Sequence, residues 1–157
     1  MNTVIRDFID TDSSAVVKIL REMQAAELPF NPRMKPVTAI GPWYVTMLKA
    51  QEDAVFLVAE FSGECAGFAV VLLNVIESGD LELNPYVHAH VTELGVAQIA
   101  RGQGLGMALL QECERRARLA GRDELTLSVY CGNDPAQKLY HKAGFADFKV
   151  RMRKSLV

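Results

Sequence analysis

The most constraining stretch of the chain runs from Val91 to Gly121 and reads VTELGVAQIARGQGLGMALLQECERRARLAG. It is an apolar strand pattern ending at Val96, then a turn holding Arg101, Gly102, Gln103, Gly104 and Gly106, then an amphipathic helix. A strand feeding a glycine-rich turn at a helix N-terminus forms an anion site. The first helical N–H groups have no intrahelical acceptor, and the helix dipole puts partial positive charge there. Glycines let backbone approach a phosphate with no Cβ in the way. The spacing excludes two common phosphate binders. No Lys-Ser or Lys-Thr follows the glycines, as a P-loop requires, and the third position of a Gly-x-Gly-x-x-Gly fingerprint falls on Met107.

The flanking chain supplies the rest of a sheet-and-helix domain. Thr3 to Phe8 reads as a strand, and Asp10-Thr11-Asp12 offers an N-cap for a helix reaching about Leu28. The prolines of LPFNPRMKP make a stiff loop, and Gly41-Pro42 opens a second helix with Trp43, Met47 and Ala50 along one side. Ala54 to Phe61 and Ala66 to Ile76 are strands joined at Ser62-Gly63-Glu64, hence antiparallel, and Tyr86 to Val96 leads into the glycine turn. The helix from Gly104 to Ala120 puts Leu105, Leu109, Cys113 and Ala117 on one face. A strand over Leu125 to Tyr130, a helix from Asn133-Asp134-Pro135 and a final strand over Phe145 to Arg153 complete the chain. Strand–helix–strand in the middle implies a parallel pair, so the sheet is mixed.

With 157 residues, half of them hydrophobic, the chain is one domain, residues 1–157. A net charge of −2 gives no basic excess for nucleic acid. No signal-peptide pattern opens the chain and no apolar run approaches a membrane span, so a cytoplasmic protein without membrane contact is expected. Cys65, Cys113 and Cys131 are an odd set without CxxC spacing, which suits a reducing compartment; a buried free thiol is expected at Cys131. His88-x-His90 is two metal ligands without a third, and no metal is expected.

The Arg-x-x-Gly-x-Gly of Arg101 to Gly106 resembles the acetyl-CoA pyrophosphate loop of the GCN5-related N-acetyltransferase (GNAT) superfamily. NDPAQKLYHKAGF resembles that family's other recurring block, with Asn133, Ala136, Tyr140, Gly144 and Phe145 in place. Gln98 departs from the pattern, standing where proline is common. The resemblance spans Val91 to Phe145, about a third of the chain. It implies an α/β domain of α+β type, with a mixed, mostly antiparallel sheet. A central parallel pair, Val91–Val96 and Leu125–Tyr130, would splay around acetyl-CoA, with helices on both faces. It further implies that backbone groups of Leu94 and Val96 pair with the pantetheine arm. The amides of Arg101, Gly102, Gln103, Gly104, Leu105, Gly106 and Met107 would hold the pyrophosphate. Asn133 would bond pantetheine or adjacent backbone, and Tyr140 would sit beside the CoA sulfur.

The chemistry asks for an acid and a base. A phenol of pKa ~10 stays protonated at neutral pH and can reprotonate a leaving thiolate, the role that falls to Tyr140. An alkylammonium acceptor must lose a proton, and Glu93 or His90 is the candidate base. Strand alternation puts His88, His90 and Thr92 on one face and Glu93 on the other, so only one set reaches the cleft unless a bulge intervenes. The expected activity is acetyl transfer from acetyl-CoA to a primary amine on a small molecule or protein. A CoA-sensing module acting through a protein partner, or a binder of another phosphate ligand, are the competing readings. The acceptor site would draw on Leu28 to Pro36, the second helix with Trp43 and Tyr44, and the loop Ser78 to Pro85; Glu77, Asp80 and Glu82 could attract a cationic amine. Many members of the family are homodimers.

Overall fold

The computed structural model describes residues 3–79, 81 and 83–156; the expected acidic contributions of Asp80 and Glu82 lie outside them. In chain order the elements are β1 (Thr3–Asp7), α1 (Ser13–Glu27), α2 (Pro42–Lys49), β2 (Ala54–Phe61), β3 (Glu64–Glu77), β4 (Tyr86–Val96), α3 (Leu105–Leu119), β5 (Leu125–Leu127) and α4 (Asp134–Lys142). They build one mixed sheet in the order β1-β2-β3-β4-β5, antiparallel except for the parallel β4–β5 pair.

Alternation sorts the strands onto two cores. On one face Leu57, Ala59, Ala69, Val71, Ala89 and Val91 pack against Leu105, Leu109, Cys113 and Ala117, the stripe expected of α3. On the other, Phe56, Val58, Phe68 and Val70 pack against Val16, Ile19 and Leu20 of α1 and Val45 and Leu48 of α2. The buried side of α2 is therefore Val45 and Leu48, whereas Trp43 and Met47 are half exposed. Proline at the first helical position and two close β-facing residues are enough to seat so short a helix. At Gly95 the sheet and α1 come so close that a Cβ would lie 2.3 Å from Met23 Sδ and 2.8 Å from Ile19 Cγ2.

Four expectations are corrected. Asp12 is not a side-chain cap of α1. Its buried carboxylate instead accepts the Ile9 amide at 2.9 Å and both terminal nitrogens of Arg6 at 2.8 and 2.9 Å. Arg6 also donates from Nε to Glu60 at 2.6 Å, so one guanidinium ties β1 to β2 and to the entry of α1. The last segment, Phe145 to Arg153, joins no sheet, and β5 leaves the ladder after Leu127 rather than running to Tyr130. The parallel pair consequently lies at the edge of the described sheet, not at its centre. An alternating pattern specifies a strand's faces but supplies no partner, and in this chain the partner is missing.

Asp12→Ala leaves Arg6 with one carboxylate instead of two and should lower unfolding free energy by about 3 kcal/mol in urea titrations. Arg6 holds Asp12 below the ordinary carboxylate range, and Arg115 and Arg116 hold Glu112 down to about 2. Because both are depressed in the fold, the stability they confer is complete above pH ~4.5 and fades as pH falls toward ~2. Thermal melts across that window should show the loss.

Candidate active site

The site forms where β4 and β5 part. Their parallel ladder covers only Ala89, His90 and Val91 against Leu125, Thr126 and Leu127. The next residue, Thr92, is an extra one: Val71 faces Val91 and the adjoining Val70 faces Glu93, so Thr92 has no opposite number. Its hydroxyl donates to Val70 O at 3.3 Å. The bulge resolves the conflict posed by simple alternation. His90 lies opposite Leu72 and Glu93 opposite Val70, two residues apart on β3, so both project from the face that α1 and α2 cover.

On that face Tyr44 of α2 donates its hydroxyl to Glu93 Oε1 at 2.8 Å. Burial pushes the Glu93 carboxyl up, the Tyr44 bond partly offsets this, and the nearby Glu27 carboxylate adds to the rise. Glu27, at the end of α1, is itself raised by burial. Tyr140, on α4, is pushed up to about 12 by burial, with Glu27 and Glu93 contributing. Its hydroxyl has no hydrogen-bond partner among the described residues, and its ring meets Phe145 edge-on at 6.1 Å. Thus the carboxylates of Glu27 and Glu93 act on both Tyr44 and Tyr140, joining four groups from four separate elements. Glu27 was not anticipated, because nothing in a helical sequence tells an exposed glutamate from one turned inward.

His90 is neutral at physiological pH, since burial and the neighbouring His88 lower its pKa. Its Nδ1 lies 2.7 Å from the Thr126 hydroxyl on β5. His88 is buried, with Nδ1 unpartnered, between Tyr86 and His90 rings. No group of three metal-ligating side chains exists among the described residues.

The glycine turn lies beyond the other end of the splay. Gly102 and Gly104 have φ of +77° and +83°, and open space surrounds the position a Cβ would take at each. Backbone conformation, not crowding, calls for glycine there. Among the described residues the amides from Gly102 to Met107 form no backbone hydrogen bond, the first of the helix being Ala108 N to Gly104 O at 3.1 Å. A run of free amides at a helix N-terminus fits a pyrophosphate. Arg101 turns back, donating from Nε to Val96 O at 3.2 Å. Ala97 N reaches Ala66 O on β3, so alternation turns the peptide groups of Leu94 and Val96 away from β3 into the splay. The Gln98 amide donates to Glu22 at 2.7 Å, a bond that proline there would forfeit.

Asn133 caps α4, its Oδ1 accepting the Ala136 amide at 3.3 Å, which is the adjacent-backbone option. Cys131 is exposed, contrary to the buried thiol expected, because it sits in a surface turn whose carbonyl Gln137 holds. Cys65 and Cys113 are raised to about 11 and about 12 by burial and are protonated at neutral pH. Of the expected acceptor loops, Leu28–Phe30 closes on the end of β5: the Phe30 ring lies 2.7 Å from where a Gly132 Cβ would stand and 6.0 Å from the Tyr130 ring. No helix of the described residues is long and apolar enough to cross a membrane.

Comparison with known proteins agrees with this geometry. The acetyltransferase (GNAT) family model matches residues 17–145. An N-alpha-acetyltransferase of Sulfurisphaera tokodaii is 31% identical over 148 residues, 93% of this chain and 81% of that protein. The uncharacterized N-acetyltransferase YdgE of Bacillus subtilis is 39% identical over 74 residues, and the match spans 47% of each protein. In fold the chain resembles the BH1408 protein of Bacillus halodurans, with a TM-score of 0.88 at 20% identity, covering 98% of this chain and 99% of that one. A predicted acetyltransferase of Clostridium acetobutylicum, crystallised with acetyl-CoA, has a TM-score of 0.70 at 17% identity, with 99% and 97% covered. The match over most of its length, joined to the bulged strand and glycine turn, makes this chain a member of the GNAT acetyltransferase family.

Proposed function

We propose that the protein transfers an acetyl group from acetyl-CoA to a primary amine by direct attack. The observation that carries this reading is the bulge at Thr92, which sets Glu93 on the face of Tyr44 and within electrostatic range of Tyr140. Acetyl-CoA supplies an activated thioester. The free amides of residues 102–107 would hold its pyrophosphate, with the N-terminus of α3 behind them. The outward peptide groups of Leu94 and Val96 would pair with the pantetheine as with an added strand.

Glu93 accepts the proton that the ammonium must lose, and its raised proton affinity makes it a better base than an exposed carboxylate. Neutral His90, on the same face, can take that proton onward through water. As the nitrogen–carbonyl bond forms and the carbon–sulfur bond breaks, Tyr140 gives its proton to the departing sulfur. At about 12 its phenol is fully protonated at neutral pH. The Glu27 and Glu93 carboxylates favour a cationic acceptor at the mouth, beside half-exposed Trp43 and Met47.

Thermal unfolding with acetyl-CoA, CoA and ATP tests the cofactor assignment without a guess about the acceptor. Acetyl-CoA at 100 times its Kd should stabilise the protein by about 2.7 kcal/mol. A shift with ATP but neither CoA species would point to another phosphate ligand. With an amine acceptor in hand, Tyr140→Phe should lower kcat by about 10²-fold while leaving that shift intact. An unchanged rate would remove Tyr140 from the chemistry, and retained CoA binding with no turnover on any amine would favour a sensor.

Tyr44→Phe removes the hydrogen bond that holds Glu93 down. Its pKa should then rise further, and the acid limb of the kcat/KM profile should move to higher pH. A limb that stays in place, or moves down, would mean that a group other than Glu93 is the base.

A further inference from the structure

The imidazole of His90 has one hydrogen-bond partner among the described residues, the Thr126 hydroxyl, with Nδ1 2.7 Å from Oγ1. The two residues face each other in the middle of the parallel β4–β5 ladder, so their side chains leave the sheet on one face. Other polar groups near the ring do not bond it. His88 stands edge-on to it at 6.5 Å, its own buried Nδ1 unpartnered, and the Glu93 carboxylate is engaged by Tyr44 at 2.8 Å. His90 Nε2 bonds no described residue, yet it is not sealed from solvent as His88 Nδ1 is.

The same hydroxyl also donates to the carbonyl oxygen of Ala89 at 3.3 Å, and this second contact sets the order of the protons. A hydroxyl has one proton to give, whereas a carbonyl oxygen only accepts. The bond to Ala89 is long, but the carbonyl fixes its direction. If Thr126 donates to Ala89, its oxygen accepts from the ring, Nδ1 carries the hydrogen, and both contacts are hydrogen bonds. If Thr126 donates to Nδ1 instead, two oxygens face each other with no proton between them, and Nε2 carries the hydrogen. The first arrangement makes two bonds where the second makes one. In water a free imidazole side chain prefers its hydrogen on Nε2; inside a protein the bond made by one ring nitrogen decides the state of the other.

We propose that Thr126 is a positioning residue that holds His90 in the Nδ1–H form, leaving the lone pair of Nε2 open to water. Backbone carbonyl, hydroxyl and imidazole form a chain of three groups, and its free end is the one basic nitrogen of the ring. The consequence for catalysis rests on the acetyl transfer proposed above. There Glu93 takes a proton from the acceptor ammonium, and His90 relieves Glu93 through water. The Glu93 O–H bond breaks, the water passes a proton on, and an Nε2–H bond forms. The resulting imidazolium keeps its Nδ1–H on Thr126 and then returns the proton to solvent. A hydrogen already on Nε2 would close that path.

Nitrogen-15 NMR of the histidine-labelled protein at pH ~8, above the ordinary imidazole range, reads the tautomer with no acceptor or cofactor present. A His90→Asn variant assigns the signals. His90 should show a protonated Nδ1 and a bare Nε2. Thr126→Val keeps the side-chain shape but removes the hydroxyl, and should move the hydrogen to Nε2; Thr126→Ser should return it to Nδ1. With an amine that the protein acetylates, Thr126→Val should lower kcat by about 10-fold, the scale on which loss of an orienting partner acts, with KM for acetyl-CoA unchanged. Thr126→Ser should recover the rate. A hydrogen on Nε2 in the wild type would overturn the proposal whether or not the variants fold, as would a tautomer that Thr126→Val leaves unchanged. A switched tautomer with an unchanged kcat would overturn the role of Thr126 in the proton path. A wild type without turnover on any amine would sink the acetyl-transfer reading instead, and the NMR result would still decide what Thr126 does.

Discussion

One extra residue in one strand sets the geometry of the candidate site. From Ala89 to Val91, β4 pairs with neighbours on both sides; at Thr92 the ladder with β3 slips, as it also does between Leu72 and Val75 of β3, and the one with β5 has ended. A bulge bends its strand and increases local twist. The same irregularity turns Glu93 onto the face of His90 and frees the peptide groups of Leu94 and Val96. Without it Glu93 would face the α3 core, where an unpaired carboxylate would have to shed its charge.

Burial then tunes the groups that the bulge gathers. Desolvation leads every shift at the site, raising Glu27, Glu93, Tyr44 and Tyr140 and lowering His90. Each shift favours the uncharged form. In the acetyl transfer proposed, Tyr140 would hold the proton to be given, and Glu93 and His90 would be the bases. The Tyr44 hydrogen bond is the counterweight that keeps Glu93 from rising further. The arrangement needs rigid support, which the close seating of α1 on Gly95 and the Arg6 network at the entry to α1 provide.

The glycine turn works by a different principle. Nothing crowds Gly102 or Gly104, so these positions serve backbone conformation, not core packing. The seven-residue run from Arg101 to Met107 is thus a local device, built by chain neighbours alone. The acid–base cluster is the opposite case: its members stand at positions 27, 44, 93 and 140 and meet only when four elements dock.

That contrast separates what was legible in the sequence from what was not. The sequence by itself determined the element order as far as α4, the bounds of β4, the buried stripe of α3 and the glycine turn, because periodicity, turn chemistry and motif spacing act within a few residues. It pointed to Tyr140, Glu93 and His90, and left the last two on opposite faces. Only the tertiary structure decided that they share one, since a bulge depends on the register of the neighbouring strand. Tertiary packing alone also turned Glu27 inward, assigned Asp12 to Arg6 and exposed Cys131. The final segment shows the limit from the other side. Its alternation reads as a strand, but strand pairing is a property of two segments, and among the described residues this one has no partner strand.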